Sequence, residues 1–198
     1  MSEPTDAQDR VRIGVRIVFW DPDGDTRPVV IVDRDPDVAD RRAALLMWER
    51  MSARPASGGD RRFLARHTPP SQWVDAADVR GWLDAVSMEL AAPASWGDTV
   101  QLEGGANLVE ERDVTVAVVH DRDRYWDEGP GILAGFDRHG VERDLAEMLV
   151  RRVLADPHLP TPAHLPDLAD PVSVTAWLET APVEIPGIIF TEGVRLSV

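Results

Sequence analysis

The chain has 198 residues, of which 43% are hydrophobic and 28% charged, and its formal net charge is −14. That balance suits a soluble globular protein with one well-buried domain or two small ones, and it argues against disorder, a fibre, or general binding to nucleic acid and anionic membranes through long-range field. Cysteine is absent and all 21 basic residues are Arg, which excludes disulfides, thiolate catalysis, Cys-type zinc or iron–sulfur centres and Schiff-base lysines.

The first stretch, "MSEPTDAQDR", has no basic region leading into an apolar one and reads as a polar tail over 1–10. Residues 11–20, "VRIGVRIVFW", alternate and then become continuously apolar, as a strand entering a sheet does. The loop "DPDGDTRP" and the return "VVIV" complete a hairpin. Asp35 followed by Pro36 predicts a helix cap with Pro at the first helical position, and Ala44, Leu45, Met47, Trp48 and Met51 supply the apolar face. "ASGGD" reads as a flexible connection. Asp75 caps a helix predicted over 75–91, where Val79, Trp82, Leu83, Val86 and Leu90 share one stripe.

"TVQLEGGANLVEERDVTVAVV" reads as a second hairpin, with Val114, Val116 and Val118 alternating. "DEGPGILAGFDRHG" reads as a glycine-containing loop, and a helix follows over 141–155. Residues 157–171 hold five prolines and are expected to run extended. Asp170 and Pro171 repeat the cap-plus-Pro signature for a short helix through Trp177 and Leu178. The terminal "PGIIFTEGVRLSV" suggests a third hairpin turning at Gly193. The order predicts an α+β fold, antiparallel hairpins packed with three to four amphipathic helices in one domain over 11–198.

The stretch "VVIVDRD" (29–35) nearly recurs as "VAVVHDRD" (116–123). This suggests two related halves, but the match extends little beyond ten residues and is read as chance. Aspartates two apart at a strand end can aim both carboxylates at a divalent ion, so Asp121 and Asp123, with Glu103 or Glu111, form the candidate metal set of a phosphoesterase or nuclease. The plainer reading ends two strands, with Asp35 as a cap. No cofactor is predicted, no two His have helical zinc spacing, and no nucleophile elbow is present.

The most distinctive feature is basic. Residues 41–66 carry seven Arg against Glu49 and Asp60. Guanidinium forks grip carboxylate and phosphate, so Arg61, Arg62, Arg66 and His67 are the candidate anion or partner contact, while Arg41, Arg42 and Arg50 are expected to pair with the protein's own carboxylates. Of seven Trp, Trp48, Trp82 and Trp177 fall on core stripes. Trp73, Trp96 and Trp126 lie at element ends, where Trp anchors partner surfaces.

Together these features predict a non-enzymatic interaction or assembly subunit, such as an adaptor, an immunity-type protein or a virion or tail component, bound to another protein chain or to itself. Its expected location is the cytoplasm, or a virion for a viral component. No membrane contact is expected, and nucleic acid only through the Arg41–Arg66 segment. The alternatives are the metal-dependent phosphoesterase and a small anionic-ligand-binding domain with an Arg-lined pocket.

Overall fold

A computed structural model describes residues 10–19, 28–53, 58–90, 94–103, 111–120, 130–159, 162–184 and 188–196. In chain order the elements are β1 (Arg10–Phe19), β2 (Val29–Asp33), α1 (Pro36–Ala53), α2 (Gly58–Arg66), a 3-10 turn (Pro70–Gln72), α3 (Ala76–Glu89), β3 (Ala94–Glu103), β4 (Arg112–His120), β5 (Gly131–Gly135), α4 (Arg138–Ala155), α5 (Pro171–Glu184) and β6 (Ile188–Leu196). Two three-stranded sheets result, ordered β2-β1-β3 and β5-β4-β6. The described residues fall into two compact units, an N-terminal one built on Val11–Gln101 and a C-terminal one on Leu102–Arg195. The α+β class with antiparallel pairing, read from the sequence, is that of the structure, and the first predicted hairpin is β1–β2. No helix among the described residues is long and apolar enough to cross a membrane.

In the N-terminal unit, the β1–β2 hairpin pairs Gly14 with Asp33 through to Val18 with Val29. Side chains alternate along β1, so Gly14 and Arg16 meet α1 while Val18 joins the helical core. That core packs Ala43, Ala44, Met47 and Met51 of α1 against Phe63 of α2 and Val79, Trp82, Leu83 and Val86 of α3. Each fully buried Met, Leu or Phe contributes about 1.5–3 kcal/mol, against about 0–1 kcal/mol for an exposed ion pair, so apolar packing holds the helices in place. Asp35 caps α1 as expected, accepting from Asp37 N at 2.9 Å, and Asp75 caps α3, accepting from Ala77 N at 2.8 Å.

The C-terminal unit repeats this plan. Its β4–β5 hairpin pairs Thr115 with Gly135 through to Val119 with Gly131, and its core joins Ala117 and Val119 to Leu145, Ala146, Leu149 and Val153 of α4 and Val174, Trp177 and Ala181 of α5. Asp137 and Asp170 cap α4 and α5, accepting from His139 N at 3.1 Å and Val172 N at 3.0 Å.

The correspondence reaches individual residues. Helix α1 starts at 36 and α4 at 138, and both have 18 residues. Strands β2 and β5 start at 29 and 131, the same shift of 102, and both have 5. The buried positions of α1, namely Ala39, Asp40, Ala43, Ala44, Met47 and Met51, fall at the same shift on Val141, Glu142, Leu145, Ala146, Leu149 and Val153, which are the buried positions of α4. Helices α3 and α5 both have 14 residues, and "DAADVRGWLD" from Asp75 aligns with "DPVSVTAWLE" from Asp170, placing Trp82 on Trp177. The chain is therefore built from two copies of one ββααβ unit.

Several expectations are corrected. The halves are related, but in a different register from the repeated Asp-Arg-Asp stretch: Asp35 corresponds to Asp137 and not to Asp123. Strands β3 and β4 do not form a hairpin, since β3 pairs with β1 and β4 lies between β5 and β6. Alternation fixes a strand's face and leaves its neighbour open. "GILAG" is strand β5, not loop. Gly193 makes no turn, because β6 runs unbroken from Ile188 to Leu196. Helix α2 begins at Gly58, inside the expected flexible connection.

Candidate functional site

Helix α2 is short, and its sequence "GGDRRFLAR" has Phe63 as its one fully buried large side chain. Phe63 enters the helical core edge-on to Trp82, with ring centroids 5.9 Å apart. The three arginines consequently fall on the outer side, and Arg61, Arg62 and Arg66 are all exposed. Arg66 is the constrained one: its Nη2 pairs with Glu89 Oε2 at 2.6 Å and its Nε donates to the Arg62 carbonyl at 3.3 Å. Among the described residues Arg61 and Arg62 make no ion pair. Gly59, Arg62, Ala65, Arg66, Glu89 and Leu90 line an open recess beside them.

His67 is separated from this basic face. It is half-buried and stacks on Phe63 at 4.3 Å, so its ring extends the aromatic core. Arg41 and Arg42 of the basic segment are structural. Arg41 Nη1 donates to the Trp73 carbonyl at 2.6 Å, tying α1 to the segment before α3. Arg42 pairs with Asp33 at 3.0 Å. Asp33 also accepts from Asp35 N at 3.1 Å, so both acids of the first Asp-Arg-Asp stretch work inside the fold. Among the described residues no three His, Asp or Glu converge as a metal site. Asp121 and Asp123 lie outside the described residues, Glu103 pairs with Arg10 at 3.0 Å, and Glu111 is exposed.

The candidate partner aromatics separate similarly. Trp73 is half-buried, packs 5.5 Å from Trp82 and donates Nε1 to Thr68 Oγ1 at 2.8 Å. Trp96 is half-buried and meets Phe19 edge-on at 5.3 Å. Trp126 lies outside the described residues. Two of the three thus have contacts within the fold.

A second depression went unrecognised in the sequence. Arg12, Gly14 and Arg16 of β1, Arg34 to Asp37 ahead of and within α1, Asp40, Arg80 of α3 and Gly97 to Thr99 of β3 line a cleft of ≈ 510 Å³ in the N-terminal unit. At its floor Arg16 donates Nε and Nη2 to Asp40 Oδ1 at 2.9 and 2.6 Å. Gly97 permits this, because a Cβ there would overlap the Arg16 guanidinium. The available signal was the alternation Arg12, Gly14, Arg16 in an otherwise apolar strand; the contributions of Arg80 and Gly97 are non-local. No family model, curated protein or solved structure matches the chain.

Proposed function

We propose that this chain is a non-enzymatic interaction module, an adaptor or assembly subunit of the cytoplasm, whose contact face is the basic outer side of α2. The observation that carries this reading is the difference between two like-built units. Among the described residues, α2 has no counterpart between α4 and α5. The C-terminal unit builds the same core without such a helix, so the fold does not require one. What α2 adds is a row of exposed guanidinium groups on a chain of net charge −14. Guanidinium forks recognise carboxylates, so the matching surface is an acidic protein face. A second copy of this chain, acidic outside its basic segment, carries that chemistry itself.

The test is solution mass by analytical ultracentrifugation against protein concentration, for the native chain and for Arg61→Glu/Arg62→Glu. Association is expected at low ionic strength, weakened by salt as an exposed charge contact requires, and abolished by the double substitution. A native chain that stays monomeric at every concentration, or one whose association survives the substitution, would overturn self-assembly through α2.

A further inference from the structure

We propose that the cleft of the N-terminal unit is a binding site for a small zwitterion of the amino-acid type, with its carboxylate on the arginines and its ammonium on the aspartates. The lining carries Arg12, Arg16, Arg34 and Arg80 together with Asp35, Asp37, Asp40 and Asp98, four charges of each sign. A net anion or a net cation would meet equal numbers of repelling groups there, whereas a ligand bearing both charges would not. At ≈ 510 Å³ the cleft is in the range of small-molecule sites, about 300–1,000 Å³.

The fold leaves hydrogen-bonding capacity of both kinds in this cleft. Arg16 uses Nε and Nη2 on a single oxygen of Asp40, leaving Nη1 of the one and Oδ2 of the other. Arg80 gives Nη1 to Asp37 Oδ1 and keeps its remaining donors. Asp35 and Asp98 each spend one oxygen on a backbone N–H, those of Asp37 and Thr99. Arg12 is exposed and makes no ion pair among the described residues.

The C-terminal unit provides the internal control. Following β1 onto β4, which pair with their hairpin partners in the same pattern, Arg12, Gly14 and Arg16 become Asp113, Thr115 and Ala117. By the matches of the helices, Arg34 and Arg80 become Phe136 and Thr175, and aligning "SWGDTVQL" of β3 with "IFTEGVRL" of β6 turns Gly97 into Thr191. The intervening buried positions keep their character, Ile13, Val15 and Ile17 becoming Val114, Val116 and Val118. The buried acid stays as Glu142, satisfied instead by Arg138 Nε at 2.7 Å and Thr175 Oγ1 at 2.9 Å. The fold therefore forms without the arginines and without Gly97, which makes room for Arg16. Both belong to the copy whose described residues line this cleft.

The experiment is calorimetric titration of the full chain with each of the twenty common amino acids, with citrate as the anion-only arm and putrescine as the cation-only arm, at constant ionic strength. At least one amino acid is expected to bind, and its carboxyl methyl ester and N-acetyl derivative to bind at least tenfold more weakly. Arg12→Asp, which installs the residue of the C-terminal unit, is expected to weaken binding at least tenfold, while Arg143→Asp, the same charge change on the exposed side of α4, leaves it within twofold. No binding by any amino acid, binding by citrate or putrescine alone, or equal loss in the two variants would overturn the proposal. Solution mass is a separate readout, so failure of self-assembly through α2 is distinguishable from failure here.

Discussion

In the N-terminal unit the carboxylate of Asp40 is held by Arg16, an arginine reaching from the sheet, whereas in the C-terminal unit Glu142, at the same helical position, is held by Arg138 on its own helix and Thr175 on the next. Both acids are buried at the fifth position of an 18-residue helix. The comparison separates what the fold dictates from what it leaves open: the position of the acid is shared, and its donor is not. The difference also sets the cost of failure. The Arg16 side chain is only 14% exposed, so losing its partner strands a charge, while Arg138 is 67% exposed and can return to water.

The largest expected effect breaks that comparison directly. Asp40→Ala should destabilise by about 3–5 kcal/mol, the cost of leaving one member of a desolvated pair unpaired. Glu142→Ala should cost about 1.5–3 kcal/mol, the range for hydrogen bonds to a charged group. Urea unfolding of both variants, followed by tryptophan fluorescence and far-UV circular dichroism, measures the difference. Equal costs would show that the two arrangements are energetically equivalent and that the Arg16 contact is no more committed than its counterpart.

Legibility in the sequence followed the range of the interaction. The starts of α1, α3 and α5 were readable because Asp35, Asp75 and Asp170 act on amides two residues away. The first hairpin was readable because eight residues of turn chemistry, "DPDGDTRP", separate two apolar runs. Strand neighbours were not, since the partners of β3 and β6 lie far along the chain. The duplication was obscured by its connections: the shift is 101 for β1 onto β4, 102 for the first helix and 95 between the caps Asp75 and Asp170, so no single offset aligns the halves. Of the predicted contact residues, Arg61, Arg62 and Arg66 are exposed together, while His67 and Trp73 pack inward because neighbouring aromatic surface captures them. The cleft draws on four separate segments, and only its β1 portion carried a local pattern.

The caps sharpen the comparison from the other side, as a place where the units should behave alike. Asp75 and Asp170 each accept from the second amide of a 14-residue helix, at 2.8 and 3.0 Å. Asp75→Ala and Asp170→Ala should each cost about 1 kcal/mol, within the usual range of about 0.5–2. Thermal denaturation of the pair measures this. A difference above about 1 kcal/mol would mean that the two helices depend on their caps to different extents despite their matched geometry.

The smallest effect isolates one hydrogen bond. Trp82 and Trp177 occupy matching positions and are both buried, but their indole N–H groups differ. Trp177 Nε1 donates to the His164 carbonyl at 3.0 Å, an acceptor supplied by the Pro-rich connection, while Trp82 Nε1 is buried without an acceptor among the described residues. The N-terminal unit fills the space around Trp82 with Phe63, Trp48 and Trp73 instead. Trp→Phe removes a similar volume at each site, so the packing loss largely cancels between them. What remains is a made bond at one site and an unmade one at the other, worth about 0.5–1.5 kcal/mol. Trp177→Phe should therefore destabilise more than Trp82→Phe by that amount, read from denaturant midpoints at equal slope. A larger cost at Trp82 would reverse the assignment and imply that the aromatic cluster around it outweighs the hydrogen bond that distinguishes its counterpart.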